Sequence, residues 1–211
     1  IQTRSIGDPV RGGSIIHQGK LPYYRALEGV LLANKQGSRS GAATVHYCVL
    51  DPEIFDLISL RNPMSIAEKR IPNMDYSTGY NDYFAHKVAK NEDWMLISYY
   101  YAKDLWESLY SDDIDKFISL YKKYEADNSV PKKFVSARKI AFSFLKEAPE
   151  TGRSYHHNLY ELNRHTPFLD PIRSSNLCKE VAVPTSPYSH ILELFKSDSD
   201  GEIGLCNLMA I

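Results

Sequence analysis

A repeated order of β-rich run followed by amphipathic helix narrows the fold of this 211-residue chain more than any other feature. Residues 42–50 form a β-rich run, and Asp51-Pro52 behind it offers an N-cap and a first-turn proline for a helix carrying Ile54, Leu57 and Ile58. A second unit runs from 74–79 into a helix with Phe84 and Val88, and 94–99 follows as another strand. Strands joined through helices return in the same direction, so the pattern predicts an α/β layout with parallel strands. Three helical segments come next, built on Leu105, Trp106 and Leu109, on Ile114, Phe117, Ile118 and Tyr121, and on Ala137, Ile140, Ala141 and Phe144. Residues 101–148 therefore read as a helical insertion. Upstream, Gly7-Asp8-Pro9 and Gly12-Gly13 are turn chemistry, and Tyr23, Ala26, Leu27, Val30 and Leu31 recur at helical spacing until a loop of small residues, 36–41.

Past Glu150 the texture changes. Residues 151–170 are polar and aromatic with weak periodicity, and Pro167 and Pro171 bracket them, which predicts a long loop lining a cleft. A strand is expected at 175–183, a short helix at 190–195 and a strand again at 202–211. No repeat, low-complexity tract or linker divides the chain, so 1–211 reads as one domain. It opens at Ile1 rather than Met and closes in an apolar stretch, as a piece of a longer protein would.

Charge and cysteine content exclude several functions. The 25 Lys and Arg are scattered among 26 Asp and Glu, which leaves no basic footprint for nucleic acid or an anionic membrane. No apolar run approaches the roughly 20 residues that a membrane span needs. Three cysteines are too few for a disulfide scaffold. A cytoplasmic setting is expected, and there a cysteine that matters is more often catalytic than structural.

One cysteine stands out. In an extended Ser174-Ser175-Asn176-Leu177-Cys178-Lys179-Glu180, alternate side chains share a face, which puts Asn176, Cys178 and Glu180 together and Leu177 and Lys179 opposite. A thiol between an amide and a carboxylate could be a reaction centre. The same pattern also describes an edge strand whose polar face meets water and whose cysteine is a small filler. Cys206 lies too far along the chain from Cys178 for a local redox motif, and neither has zinc-type spacing. Cys48 reads as a buried strand residue. His156-His157 and Glu161 lack a third ligand, so they read as hydrogen-bonding loop groups with no metal, and Tyr99-Tyr100-Tyr101 reads as packing.

Five motifs taken together resemble the large catalytic subunit of class I ribonucleotide reductases of bacteria and their phages. They are Gly7-Asp8-Pro9-Val10-Arg11-Gly12-Gly13, Gly37-Ser38-Arg39-Ser40-Gly41-Ala42-Ala43-Thr44, Thr151-Gly152-Arg153, Ser175-Asn176-Leu177-Cys178-Lys179-Glu180 and Gly201-Glu202-Ile203-Gly204-Leu205-Cys206-Asn207-Leu208. They fall in the family's order over the whole chain. The resemblance implies the central part of a ten-stranded α/β barrel, with Cys178 on a loop or strand entering its centre. It implies that a Cys178 thiyl radical takes the ribose 3′ hydrogen, that Glu180 accepts the 3′-hydroxyl proton and that Asn176 holds the hydroxyls. Cys206 matches one of the two thiols that supply electrons, and 176–180, Leu177 and Lys179 included, match the substrate-binding segment.

Arg4 and Arg11 match contacts to a nucleoside triphosphate effector (ATP or dNTP), and Gln36, Gly37, Ser38, Arg39, Ser40 and Gly41 match the specificity loop. The implied partners are a ribonucleoside diphosphate, a metal-containing small subunit that supplies the radical, thioredoxin or glutaredoxin as reductant, and a second large subunit. No cofactor bound directly to this chain is implied. An adenosylcobalamin-dependent reductase and a non-catalytic nucleotide-binding or assembly fragment of a split enzyme remain alternatives.

Overall fold

The computed structural model describes residues 3–207. Two short antiparallel strands, β1 (Pro9–Val10) and β2 (Ile15–Ile16), flank a 3-10 turn at Arg11–Gly13. Helix α1 (Leu21–Ala33) follows, then a hairpin of β3 (Lys35–Gln36) and β4 (Arg39–Ser40) turning at Gly37, whose φ of +62° suits glycine. The predicted loop at 36–41 is thus largely a hairpin.

The two β-then-helix units are present. They are β5 (Thr44–Cys48) with α2 (Ile54–Ile58), and β6 (Asp75–Tyr80) with α3 (Asp82–Lys90). Asp51 accepts the Glu53 backbone N–H at 3.0 Å, so it fixes the turn into α2 from just outside the helix. Asn81 caps α3 by accepting from Phe84 N, and Asn91 closes it in the left-handed region at φ +57°.

Residues 93–136 depart from expectation. Strand β7 (Asp93–Ile97) is where a strand is expected, yet it pairs antiparallel with β8 (Lys132–Ser136) in a sheet of its own. Between them lie α4 (Lys103–Ser108) and α5 (Ile114–Ala126), and α6 (Ala137–Thr151) comes after, so the insertion is helical with a strand inside it. The loop expected at 151–170 instead holds β9 (Ser154–Asn158) and α7 (Leu159–Arg164). The C-terminal strands at 175–183 and 202–211 are absent among the described residues. A single bridge joins Ser186 to Glu202, the short helix is a 3-10 turn at Ile191–Phe195, and 208–211 lie outside the described residues.

The largest sheet is parallel, in the order β5-β6-β9, with Thr44 opposite Asp75 and Tyr76 opposite Ser154. The described strands make four separate sheets and no closed barrel, and ten strands are not seen. A mixed α/β fold stands.

Register and alternation together assign the sheet's faces. Val45, Tyr47, Tyr76, Thr78, Tyr80 and His156 share one face, which α6 covers, with Phe144 stacked on Tyr80 and against His156. Thr44, His46, Cys48, Ser77, Gly79, Tyr155 and His157 share the other. Gly79 is bare because a Cβ there would meet Leu159 Cδ1 at 2.6 Å. The main core centres on Trp94, fully buried, ringed by Tyr83, Phe84, Phe117 and Tyr121 and donating from Nε1 to Val49 O at 2.9 Å. That bond ties the antiparallel pair to the end of β5.

Candidate active site

The segment carrying Cys178 is irregular chain folded into a turn rather than a strand. Its own polar groups dictate this. Asn176 Oδ1 accepts from Val181 N at 3.0 Å, Ser175 Oγ donates to Val181 O at 2.5 Å, and Lys179 N donates to Asn176 O at 3.3 Å. Side chain and backbone close a loop at the expense of a ladder. Lys179 sits at φ +71°, where a residue with a Cβ is strained.

The turn cancels the alternation on which a shared face for Asn176, Cys178 and Glu180 rested. What the fold brings together instead is Asn176, Glu180 and Cys206. Asn176 Nδ2 donates to Cys206 Sγ at 3.2 Å, and the Cys206 thiol donates to Glu180 Oε1 at 3.6 Å. The Glu180 carboxyl is held below the usual carboxylate range by the Asn176 amide first, with a backbone hydrogen bond and the Cys206 thiol adding to it. Asn176 and Cys206 also line a cavity of about 530 Å³ with Val181, Tyr188 and Ile203. Cys178 and Glu180 are outside its lining.

Cys178 is exposed and within the field of the Arg153 guanidinium, which bonds Asp75 at 3.1 Å. All three cysteines are free thiols. Cys48 is buried at the end of β5, where burial pushes its pKa up.

The turn lies over the second face of the parallel sheet and is tied to both its edge strands. Thr44 Oγ1 on β5 donates to Leu177 O at 2.6 Å, and Lys179 Nζ approaches His157 Nδ1 on β9 at 2.8 Å. Ser77 on the middle strand is 3.1 Å from the same nitrogen, and His46 meets the His157 ring edge-on at 6.0 Å. Burial pushes His46 down to about 4, and burial followed by the Lys179 charge pushes His157 down to about 3. Lys179 is itself pushed down to about 8 by burial. Sequence reasoning missed this cluster. Its trace was the histidine and serine at in-face positions of strands β5, β6 and β9, visible only once the register is known.

A second polar group also escaped the sequence. Lys20, 3% exposed, reaches Asp51 at 2.6 Å, Ser5 Oγ at 3.0 Å and Glu53 at 3.8 Å. Glu53 in turn accepts backbone N–H groups from Ile6 and Lys20. These contacts hold the N-terminal segment against the β5–α2 connection, beside a cavity of about 370 Å³ lined by Thr44, His46, Tyr99 and Ser174.

Elsewhere, Arg4 donates to Pro9 O at 2.5 Å and lies 4.3 Å from the Tyr100 ring centre, whereas Arg11 is exposed at φ +48°. Arg39 is exposed on β4, and the groove of about 440 Å³ beside it is lined by Asn34, Lys35, Gln36, Ser40 and Gly41. Glu161 bonds Arg164 and His165 rather than the His156-His157 pair, which is on a strand and not in a loop. Tyr99 packs edge-on against Trp106 and donates to Glu107. No helix among the described residues is long and apolar enough to cross a membrane.

Comparison with known proteins bears on the whole chain. The family model described as ribonucleotide reductase, barrel domain, matches residues 1–211. The chain is 36% identical over 211 residues to ribonucleoside-diphosphate reductase subunit alpha of Haemophilus influenzae, covering 98% of this chain and 27% of that protein. It is 35% identical over 188 residues to ribonucleoside-diphosphate reductase 1 subunit alpha of Escherichia coli, covering 87% and 25%. To ribonucleoside-diphosphate reductase subunit alpha of Enterobacteria phage T4 it is 33% identical over 212 residues, covering 98% and 27%. The chain thus spans about a quarter of the length of these relatives, and it belongs to the ribonucleotide reductase family, as part of the barrel domain of an alpha subunit.

Proposed function

We propose that this chain is the part of a ribonucleoside-diphosphate reductase catalytic subunit that carries the radical cysteine and one of the reducing thiols. The observation that supports this best is the Asn176, Cys206 and Glu180 group, formed by two segments distant in sequence and joined by hydrogen bonds. Cys178, as a thiyl, takes the 3′ hydrogen of a ribonucleoside diphosphate laid along 176–180. Glu180, held ionised, takes the 3′-hydroxyl proton while the 2′-hydroxyl, protonated by a thiol of the reducing pair, leaves as water. The Asn176 amide orients the hydroxyls. Cys206 and a second thiol elsewhere in the subunit give the two electrons and become a disulfide, which thioredoxin or glutaredoxin reduces.

A separate metal-containing subunit supplies the radical, a nucleoside triphosphate at Arg4 and Arg11 sets the substrate choice through 36–41, and the subunit works as a homodimer in the cytoplasm. The test is deoxynucleotide formation by the full-length subunit with its small subunit, effector and reductant. Cys178→Ser should abolish turnover, and so should Cys206→Ser, which leaves the two-electron reduction with a single thiol. Retained turnover in Cys178→Ser would exclude the assignment.

A further inference from the structure

We infer that Lys179 is a positioning residue, whose ammonium bonded to His157 pins the cysteine turn to the sheet and sets where Cys178 stands. This rests on the reading of Cys178 as the reacting thiol. Cys178 has no hydrogen bond of its own among the described residues and is exposed, so its place depends on the residues either side of it. Those two are the ones tied down. Leu177 is held through its carbonyl by Thr44 on one edge strand, and Lys179 through its ammonium by His157 on the other. The turn therefore bridges the two edge strands, with Ser77 of the middle strand beside the same imidazole nitrogen.

The left-handed φ of Lys179 points the same way. A residue with a Cβ adopts that conformation at a cost, and here it accompanies a side chain directed into the sheet. Lys179 is half-buried, and its head group ends on an acceptor rather than in water. The bond has a defined direction, because the ammonium has only donors and His157 Nδ1 must accept, which places the imidazole proton on Nε2. The groups facing this pair are His46 and Ser77 from the sheet, His156 from β9 through its field, and, on the Cys178 side, Arg153 with Asp75.

With Lys179 pushed down to about 8 and His157 to about 3, the pair is ammonium and neutral imidazole at neutral pH. Above about 8 the amine loses its charge and the tie weakens. Hydrogen bonds to charged groups are the stronger ones, so the loss should be felt at the thiol.

The experiment uses the full-length subunit with its small subunit, reductant and effector, and the variants Lys179→Met, Lys179→Arg and His157→Leu. Lys179→Met should lower kcat about tenfold with KM within about twofold, the size expected for losing one charge-assisted hydrogen bond. Iodoacetamide alkylation of Cys178, followed peptide by peptide, should change severalfold in Lys179→Met while that of Cys206 does not. Adding His157→Leu to Lys179→Met should cost little more, since both remove one bond. In Lys179→Arg, which stays charged at all accessible pH, the alkaline limb of kcat should move up by at least about one pH unit.

Wild-type kcat and wild-type Cys178 alkylation in Lys179→Met would overturn the inference, as would an unmoved alkaline limb in Lys179→Arg. Should Lys179→Met fail to fold, the Lys179→Arg profile decides. If the wild type reduces no nucleotide, the functional reading fails, and the alkylation arm alone then decides the role of Lys179.

Discussion

His46 and His157 show what burial does to a titratable group that the fold leaves half-satisfied. Nδ1 of His46 and Nε2 of His157 are buried without a hydrogen-bond partner, so a charge on either ring would be poorly solvated. Both pKa values fall accordingly, from an ordinary 6.5 to about 4 and about 3. The sign of the consequence follows from proton uptake. Between pH 6.5 and the lowered values the unfolded chain binds more protons than the folded one, so stability falls as pH falls. The contribution is complete above 6.5 and is lost through 4 and then 3. Urea denaturation of the full-length protein from pH 7 to 4 should show a declining midpoint, and His157→Gln should flatten that decline. Lys179 works in the same sense at the other end, because its lowered pKa makes stability rise from pH about 8 towards 10.5. An unchanged acid slope in His157→Gln would remove His157 from the account.

At the scale of elements, the Lys20 cluster shows how a segment with little apolar surface is held. Residues 3–20 make only two-residue strands, yet Lys20, Asp51 and Glu53 are almost wholly buried, and Asp8 accepts from Ser5 N at 2.7 Å and Ser98 Oγ at 2.5 Å. Removing one member of a buried charged group strands its partners. Lys20→Met should therefore cost about 3–5 kcal/mol, read as a fall in the denaturation midpoint at constant slope. A loss below about 1 kcal/mol would show that the carboxylates find other partners.

The same segment illustrates what the sequence could and could not disclose. Elements with one apolar face and a clear cap, such as β5, β6, α3 and α5, were legible because burial imposes the period of the element on the residues. Strand β9, Ser154-Tyr155-His156-His157-Asn158, was not, since its second face meets the polar turn at Lys179 rather than a core. Strand β8 opens on two lysines, and one strand partner and a partly exposed position require little of it. The cysteine turn reads as a strand by alternation, and only the Ser175 and Asn176 bonds to Val181, which compete with any ladder, turn it over. The residues of the candidate site are named by resemblance, and alternation misreads their grouping. Cys206 joined Asn176 and Glu180, where alternation had placed Cys178.

At the scale of the molecule, the parallel sheet is open on both sides, since β5 and β9 each pair only with β6 among the described residues. Unpaired parallel edges are templates for association. Apolar side chains after α7 add to this, with Leu169, Phe195 and Leu205 among the most exposed in the chain. Exposed apolar side chains of this size favour association. Produced alone, the 211 residues should therefore self-associate and bind an apolar dye such as ANS. They should also form no deoxynucleotide when small subunit, effector and reductant are supplied. The proposed chemistry gives the same answer, because in that reading Cys206 needs a second thiol for a two-electron reduction, while Cys178 is assigned to the radical and Cys48 is buried at the end of β5. Supplying the flanking segments of the subunit as separate polypeptides should lower dye binding and bring activity with it, because pairing the edges also makes the site rigid and dry. Sedimentation velocity and dye fluorescence on the chain, with and without those segments, decide the matter. A monodisperse, dye-silent monomer that makes deoxynucleotide, and stops doing so in Cys178→Ser, would show that the open edges are harmless and that the reducing thiols are already complete.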